Sequence, residues 1–453
     1  MSPRAHRAAD PLEREIEAVL DPGRFVSDRA CFSFVADLEE VEREVAKLTR
    51  TAPARAVSVY EAYLAGCYEK AGEIDDSSGS FGTFVTELFC GWIRARQAAG
   101  LAPGETSTRL LAWMDDDPFG FCYGLEKDVA KVLDKAGLAA LTDQVRTRFE
   151  PAALTAPVPV ERPRSDQGYA RRRWAGVLRT LYLAQKDIDA YVRLAEETGL
   201  TADDCHTVAT MLMARRKPDQ ALSWVERGLE LARRTPHDSA AGYDLRMLKP
   251  RLLEKLGRSA EALEAVWAEY RGHPSRYSYD DLMRFVPMTE RSAWHEKAID
   301  AAMGTDLHSL IELLLHTKEI GQLEQLVRRS TDDALEAVSH FGTEDAAKKL
   351  EKTDPGAAAR LWRARAIRIL EEKKSKSYGA ALRNLERAKR CYGRAGLDAD
   401  WQQLVIEVRT NHHRKTAFMP GFEAIVTGSG QSREPPFLER AKARWIGPHR
   451  EEA

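Results

Sequence analysis

Apolar residues recur at helical spacing along almost the whole chain. In the second segment, for example, Leu38, Val41, Val45 and Leu48 lie three or four positions apart, as they would on one face of an α-helix. The alternation of apolar and polar residues that is typical of strands is nearly absent. The breaks between segments are short and rich in helix-starting and helix-ending residues, and they lie at 21–23, 100–104, 199–204 and 396–400. Because short connections force successive helices to lie antiparallel, the pattern predicts an all-α protein built of antiparallel helical hairpins.

A local pattern occurs three times in the middle of the chain. The sequence reads QKDIDAYVRLAEE around Lys186, RKPDQALSWVERGLEL around Lys217 and GRSAEALEAVWAEY around Arg258. In each copy a basic residue and a short turn precede a helix in which a small alanine lets two helices approach, and a larger residue four positions later fills the groove. These residue pairs are Ala190 and Leu194, Ala221 and Val225, and Ala262 and Val266.

The alanines are spaced by 31 and 41 residues, on either side of the tetratricopeptide period of about 34 residues. Weaker copies lie at 320–327 and 378–392. The pattern predicts degenerate tetratricopeptide-like hairpins stacked as a superhelix, or solenoid.

Composition and proline content divide the chain into four predicted parts. Residues 1–150 form an acidic N-terminal helical block, and 151–168 form a linker with four prolines. Residues 169–426 form the tetratricopeptide-like array with a basic C-terminal end. Residues 427–453 form a tail rich in Gly, Ser and Pro with a short terminal helix.

The formal net charge of -2 conceals a gradient along the chain. Residues 1–160 hold 18 Lys and Arg against 26 Asp and Glu, whereas residues 351–453 hold 21 against 13. One end is therefore acidic and the other basic, which bears on partners and on head-to-tail contacts between copies.

Several classes of protein are disfavoured by what the sequence lacks. No apolar run approaches the roughly 18 residues that span a bilayer, and residues 1–11 do not resemble a secretory signal, so we expect a cytoplasmic protein. No nucleophile elbow, phosphate loop, HExxH or dinucleotide fingerprint occurs. We therefore expect no enzymatic activity and no cofactor.

The cysteines are scattered singly, without the CxxC, CxC or Cys-x-His pairs that begin a zinc site. We expect each of them to be a buried, reduced side chain. The six are Cys31, Cys67, Cys90, Cys122, Cys205 and Cys391.

A set of segments resembles a known family. These are VLDPGRFVS, YEKAGEIDDSSGSFG, YLAQKDIDAYVRLAEETGL, RRKPDQALSWVERGLEL, SYGAALRNLERAKRCYGRAG and RTNHHRKTAFMPGFE. Together, from about Leu12 to Phe422, they resemble the helical C-terminal region of bacterial SWIM zinc finger proteins and its stand-alone relatives of unknown function. The finger itself needs a CxC pair followed by Cys-x-His, and this chain has neither. The resemblance therefore implies only a helical platform, without metal or activity.

One polar loop is a candidate for either a cation site or a helix cap. Its residues are Asp75, Asp76, Ser77, Ser78 and Gly79. Adjacent carboxylates and hydroxyls could bind Mg²⁺, but Asp and Ser are also the usual N-cap residues, and an apolar helical stripe follows. We interpret the loop as a helix cap. By the same argument, Asp115, Asp116 and Asp117 before Pro118 predict a helix start.

Two basic groups are candidates for binding a partner or nucleic acid. Arg171, Arg172 and Arg173 follow the linker, although three successive helical arginines point in three directions and also suit a solvated face. The second group lies near the basic end and comprises Lys373, Lys374, Lys376, Arg409, His412, His413, Arg414 and Lys415.

These observations lead to three functional hypotheses. The first is a non-enzymatic scaffold of helical repeats whose concave surface binds a peptide or protein, with the acidic first third suited to a basic partner. The alternative is a nucleic-acid-associated accessory protein that uses the basic C-terminal end. The third is salt-dependent self-association between the acidic block of one copy and the basic block of the next.

Overall fold

The computed structural model is helical throughout the residues that it describes, which are 10–154, 166–234, 240–338, 340–372, 374–429 and 438. These residues form 23 α-helices and three short 3-10 helices, and they contain no β-strand. Within this part of the chain, β pairing is limited to an isolated bridge between Val26 and Ile74. The prediction of an all-α protein built of antiparallel helical hairpins is confirmed.

The chain divides into two compact units, Met1–Leu248 and Lys249–Ala453. Unit 1 contains α1 (Pro11–Leu20), α2 (Asp28–Thr51), α3 (Pro53–Lys70), α4 (Ser80–Ala98), α5 (Pro103–Asp115), α6 (Glu126–Val132), α7 (Lys135–Leu154), α8 (Asp166–Gln185), α9 (Ile188–Thr198), α10 (Ala202–Ala214) and α11 (Pro218–Arg233). The boundary falls within α12 (Ala240–Lys255).

Unit 2 contains the remaining helices. They are α13 (Ser259–Gly272), α14 (Arg276–Phe285), α15 (Arg291–Ala302), α16 (Leu307–Thr317), α17 (Ile320–Arg329), α18 (Asp332–Ala337), α19 (His340–Thr353), α20 (Pro355–Glu371), α21 (Tyr378–Ala395), α22 (Asp398–His412) and α23 (Met419–Thr427). The 3-10 helices are Ala71–Glu73, Met288–Glu290 and Ser375–Ser377.

The first helices of unit 1 pack around α3. Two tyrosines of α3 are buried, and both keep a partner for their hydroxyl: Tyr63 donates to the Leu38 carbonyl at 2.8 Å and Tyr60 to the Glu42 carboxylate at 2.7 Å. Helix α4 approaches closely because Gly91 lies against the Tyr60 ring, where an added Cβ would come within 2.6 Å. The buried aromatic rings and the small facing residue therefore place α3 between α2 and α4.

Five helical hairpins share one turn, in which a residue with a left-handed backbone follows the first helix. Its φ is 58° at Lys186, 59° at Arg216, 74° at Gly257, 66° at Lys318 and 69° at Gly396. The next residue donates its N–H to the carbonyl five positions back, as Lys217 does to Leu212 at 3.0 Å, which is the six-to-one bond of a Schellman motif. In all five hairpins the second helix begins two residues after the left-handed residue.

The repeated sequence pattern corresponds to the second helices of these hairpins, α9, α11 and α13, with a shift of one residue in the first copy. Counted from the left-handed residue, the buried Ala221 and Ala262 align with Tyr191 and not with Ala190. The shift arises because the basic residue of the first copy is itself left-handed, whereas in the other two it follows the left-handed residue. Of the weaker copies, 320–327 lies in α17, which follows the same turn, and 378–392 lies in α21, which precedes it.

Helix α20 is the most enclosed element of unit 2. It packs against α17, α18, α19 and α21, and its buried residues lie on every side of the helix. Two of them, Arg363 and Arg365, are charged. A helix that is buried all round can hold cations only if other side chains supply partners for them.

The predicted linker and tail lie partly outside the described residues. Helix α7 continues to Leu154 and α8 begins at Asp166, while residues 155–165 of the predicted linker, 430–437 and 439–453 are outside. The four predicted parts stay predictions. In the described part of the chain, no helix combines the length and the apolar character needed to cross a membrane.

Candidate partner-binding site

The predicted cap lies directly in front of α4. The Asp76 carboxylate accepts hydrogen bonds from the backbone N–H groups of Phe81 at 2.9 Å and Gly82 at 2.8 Å. These N–H groups belong to the first helical turn, where they have no intrahelical acceptor. Asp76 therefore binds the helix end with both carboxylate oxygens.

The other polar side chains of this loop bond to one another. Asp75 accepts a hydrogen bond from the Ser77 hydroxyl at 2.5 Å, and the Ser78 hydroxyl lies 2.9 Å from that of Ser80. Gly79 has a φ of 72°, a conformation that favours glycine. Among the residues that the structure describes, no group of three or more His, Cys, Asp or Glu side chains is arranged to bind a metal ion.

The predicted helix start at Pro118 is wrong. Helix α5 ends at Asp115, and the next helix begins only at Glu126. Gly120 and Gly124, with φ values of 79° and 76°, turn the chain in between. The residues 116–125 therefore form a loop, which we call the aromatic loop.

The aromatic loop is held in place by one carboxylate and several rings. Asp117 accepts hydrogen bonds from the backbone N–H groups of Phe121 at 3.0 Å and Cys122 at 2.7 Å, and from the Tyr68 hydroxyl at 3.1 Å. The centroid of the Tyr68 ring lies 5.1 Å from that of Phe121 and 4.8 Å from that of Trp113. These distances are typical of stabilising aromatic pairs. The loop is consequently fixed to Tyr68 of α3, whose ring also packs on Trp113 of α5.

Part of the predicted C-terminal basic group is engaged by acids. Arg409 forms two hydrogen bonds with Glu423, at 2.9 and 2.6 Å. Lys374 lies 3.3 Å from the Glu372 carboxylate, and Lys376 is in a 3-10 helix. Lys373 lies outside the described residues.

The two histidines of this group differ in exposure. His412 is only 5% exposed and lies 3.7 Å from Glu371; burial, together with the nearby Lys415, lowers its pKa, and Glu371 opposes this shift. His413 lies on the surface with its Nδ1 2.9 Å from the Thr410 carbonyl. Arg414 and Lys415 follow the end of α22. The positive charge counted in the sequence is thus only partly available to a ligand.

The three arginines near the start of α8 have different environments. Arg171 pairs with Glu197 at 3.3 Å, and Arg173 donates a hydrogen bond to the Met114 carbonyl. Arg172 is exposed and has no ion pair or hydrogen bond with any described residue. Arg172 and Arg173 line the same cavity.

That cavity, of about 480 Å³, lies between the aromatic loop and α8. We call it the tyrosine cleft. The residues that characterise it are Tyr123, Lys127, Tyr169, Arg172, Arg173 and Gly176.

Two tyrosines stand almost free at the tyrosine cleft. Tyr123, on the aromatic loop, is 92% exposed, and Tyr169, in the first turn of α8, is 63% exposed. Beside them, Lys127 and Arg172 have no ion pair within the described part of the chain, and the same holds for the carboxylate of Glu126. Two cations and one anion without an ion-pair partner in the described part of the chain, and two aromatic rings, therefore face the cavity.

The other two acids of the tyrosine cleft already have partners. Asp115 pairs with Arg148 at 3.1 Å, and Asp117 holds the aromatic loop. The charged side chains of the cleft that have no hydrogen-bond or ion-pair partner in the described part of the chain are consequently those of Lys127, Arg172 and Glu126.

Gly176 is an unusual residue for the interior of α8. A glycine there costs roughly 1 kcal/mol of helix stability relative to alanine. Its backbone is not left-handed, and an added Cβ would meet no atom within 4 Å. Neither conformation nor internal packing requires the glycine, and it lies on the wall of the tyrosine cleft, where it leaves the backbone open to close approach by a ligand.

The thiol in the tyrosine cleft is not a reactive one. Burial is the main cause that raises the pKa of Cys122 to about 12; the Tyr68 hydroxyl acts in the opposite direction, and the neighbouring Asp117 in the same direction as burial. A thiol is nucleophilic only as the thiolate. All six cysteines are buried. The cleft presents aromatic rings, ionic groups and an open stretch of backbone to a ligand.

Sequence reasoning missed two features. It read the aromatic loop as a helix start, although Gly120 and Gly124 signal turns. It also identified a weaker repeat copy at 378–392 without the arginines at 383, 387, 390 and 394, whose spacing of four, three and four residues is visible in the sequence.

Helices joined in hairpins by a shared left-handed turn define a protein with a helical-repeat-like fold. Residues 5–420 match DUF6880, a family of unknown function, and the chain belongs to this family. The resemblance to the helical region of SWIM zinc finger proteins stays a prediction.

Similarity to individual proteins is weak. No curated protein matches the chain. One solved structure, described as a circular tandem repeat protein with novel repeat topology and enhanced subunit contact surfaces, is 12% identical over 92% of this chain and 98% of that chain, with a TM-score of 0.18. A TM-score this low does not indicate a shared overall arrangement.

Proposed function

We propose that the protein is a non-enzymatic interaction scaffold that binds an extended segment of a partner protein in the tyrosine cleft. The observation that carries this proposal is the pair of exposed tyrosines, Tyr123 and Tyr169, beside the unpaired Arg172 and Lys127. Tyr and Arg are enriched at protein interfaces and dominate their binding energy.

The tyrosine cleft can bind such a segment with little rearrangement of its own. Tyr123 stands on a loop fixed by Asp117 and by the ring of Tyr68, and Tyr169 stands on a helix. Because these supports are already ordered, binding costs less conformational entropy than ordering a mobile loop would. Gly176 lets the backbone of a bound segment approach α8.

The local charges favour a segment that carries carboxylates next to an apolar or aromatic side chain. Arg172 and Lys127 would pair with the carboxylates, and the tyrosine rings would cover the apolar side chain. The acidic first third of the chain suggested a basic partner, but the unpaired groups at the tyrosine cleft are mainly cationic. Glu126, at the rim, would accept a backbone N–H or a single cation of the segment.

A peptide array tests the proposal. Short peptides with a central Phe, Leu or Trp flanked by acidic, basic or neutral residues are probed with the full chain. We expect the acidic series to bind best, and the strongest binder is then measured in solution by fluorescence anisotropy. In the variant with Tyr123→Ala and Tyr169→Ala, loss of two interface tyrosines weakens binding by at least about 2 kcal/mol, roughly 30-fold.

The matched control is Tyr243→Ala. Tyr243 is 53% exposed, is in unit 1 and does not line the tyrosine cleft. Its replacement should leave the affinity unchanged, and circular dichroism verifies that both variants remain helical. Absence of binding to every series, or equal affinity in the double tyrosine variant and the wild type, would refute the proposal.

A further inference from the structure

Four arginines lie in a row on one face of α21. Their positions, 383, 387, 390 and 394, follow the spacing that places side chains above one another on a helix. From the first Cα to the last, the row extends about 16 Å at the helical rise per residue. We call Arg383, Arg387, Arg390 and Arg394 the arginine row.

Three members of the arginine row have no partner among the described residues. Arg383, Arg390 and Arg394 are exposed and form no ion pair or hydrogen bond with any of them. Arg387 is oriented by stacking over the Trp362 ring, 4.6 Å from its centroid, and lies 4.0 Å from Glu351.

The rest of α21 does not neutralise this face. Glu386 is the one acidic residue of the helix. The remaining cation, Lys389, is turned away from solvent and donates hydrogen bonds to the Ile425 and Val426 carbonyls at 2.5 and 3.1 Å. The face therefore presents a concentrated positive charge in unit 2.

No large apolar side chain is exposed on α21, all of which is described. Protein interfaces generally bury an apolar or aromatic centre, and the apolar residues of α21, including Leu385 and Cys391, face the core. Interfaces with nucleic acids are more polar and much more positively charged. The surface thus matches a polyanion better than a protein.

We propose that the arginine row binds the phosphate backbone of a nucleic acid. A row of about 16 Å corresponds to four or five phosphates of one strand, given an axial rise of about 3.4 Å per nucleotide in a duplex. The planar guanidinium group can contact phosphate oxygens with two parallel hydrogen bonds. Because the proposed contacts are made to phosphates and not to base edges, binding is independent of sequence.

Salt dependence tests this proposal. Fluorescein-labelled single-stranded and duplex DNA of about 20 nucleotides are titrated with the full chain between about 50 and 200 mM salt. With three or four contacted phosphates, the logarithm of the association constant falls against that of the salt concentration with a slope of about −2.7 to −3.6 for the duplex and about −2.1 to −2.8 for the single strand.

Replacing Arg383, Arg390 and Arg394 with alanine removes the unpaired members of the row. Each lost phosphate contact lowers the magnitude of the slope by about 1, so binding should become nearly independent of salt and at least tenfold weaker at the lowest salt. The matched control replaces Arg227 and Arg233 of α11 and Arg234 directly after it, which are exposed and paired with glutamates. This control variant changes the net charge by the same amount as the row variant. We expect it to keep the salt dependence of the wild-type protein.

Three results would overturn the proposal. The first is no binding of either DNA at the lowest salt, and the second is an equal loss of affinity in the control variant. The third is competition by polyglutamate as effective as that by unlabelled DNA, since the face would then recognise acidic protein. None of these results bears on the tyrosine cleft, which is tested with peptides and its own variants.

Discussion

Helices α20 and α21 are neighbours in unit 2, and each carries four arginines, but the two sets differ in whether they have partners within the protein. In α20 every arginine binds groups of its own chain. In α21 three of the four have no partner among the described residues. The arginines of α20 are Arg360, Arg363, Arg365 and Arg368. The comparison shows that the number and spacing of arginines do not determine whether they are available to a ligand.

Two arginines of α20 complete the ends of other helices. Arg360 donates to the Val327 carbonyl at 2.6 Å, near the end of α17, and Arg368 donates to the Ala337 and Val338 carbonyls at 2.6 and 2.7 Å, at the end of α18. The last carbonyls of a helix accept no hydrogen bond within the helix. A cation close to them is therefore stabilising. The short α17 and α18 are thus fastened to α20.

Arg363 has the most extensive set of ionic partners in α20. It is 9% exposed and lies 3.2 Å from Asp332, 2.7 Å from Glu336 and 2.9 Å from Glu407. The three acids come from α18 and α22, so a single guanidinium group joins two helices to a third.

The difference follows from what packs outside each helix. Helix α20 is surrounded by four others, and their ends and acids reach its cations. The arginine row lies on the side of α21 opposite its buried Ala381, Leu385 and Ala388, and within the described part of unit 2 its one ion pair is that of Arg387 with Glu351 at 4.0 Å. Three predictions test this contrast.

The largest expected effect is that of Arg363→Met. Removing the cation leaves three acids close together in a partly buried site, and breaking a buried ion pair costs about 3–5 kcal/mol. Urea titration should show a correspondingly lower free energy of unfolding. A loss below about 1 kcal/mol, the range of exposed ion pairs, would contradict the view that this network holds α20 to its neighbours.

A smaller effect is expected from Glu336→Gln, and it depends on pH. Burial raises the pKa of Glu336 and the nearby Glu407 adds to the shift, although Arg363 opposes it. A carboxyl whose folded-state pKa is raised contributes stability that is present below its ordinary pKa of 4.5 and lost as the pH rises through the raised value.

The glutamine variant cannot lose that contribution. Its melting temperature relative to the wild type should therefore increase between pH 4.5 and neutral pH. Melting curves of the two proteins across this interval provide the measurement. A constant difference in melting temperature would mean that Glu336 titrates as an ordinary exposed side chain.

The smallest effect is expected from Arg390→Ala. Because Arg390 has no partner within the described residues, its removal should change the free energy of unfolding by no more than about 0.5 kcal/mol, as for most surface substitutions. The same urea titration checks this value. A loss above about 1 kcal/mol would indicate that the arginine row stabilises the fold, and its availability to a ligand would be in doubt.

The all-α class and the hairpins were predictable because both depend on local periodicity and turn residues. The register of the first repeat was not predictable from the sequence. Lys186 and Lys217 look equivalent in the sequence, but only Lys186 has a left-handed backbone, and a basic side chain does not reveal the φ of its residue.

The tyrosine cleft was predictable only in part. Arg172 and Arg173 were recognised as candidates, but Tyr123 and Tyr169 are far apart in sequence and are brought to one cavity by the aromatic loop. That loop depends on a hydrogen bond between Asp117 and Tyr68, which no local pattern indicates. The basic end was overestimated for a similar reason, since Glu423 reaches back to Arg409.

The shared left-handed turn restricts how proteins of this design can change in length. An extra residue between the left-handed position and the next helix would rotate that helix by about 100° and carry a buried residue such as Ala221 or Leu323 towards water. We therefore expect insertions and deletions to disturb the fold less between hairpins than within their turns. The distance from one such turn to the next grows from 30 residues, between Lys186 and Arg216, to 78, between Lys318 and Gly396, while the turn itself keeps its form.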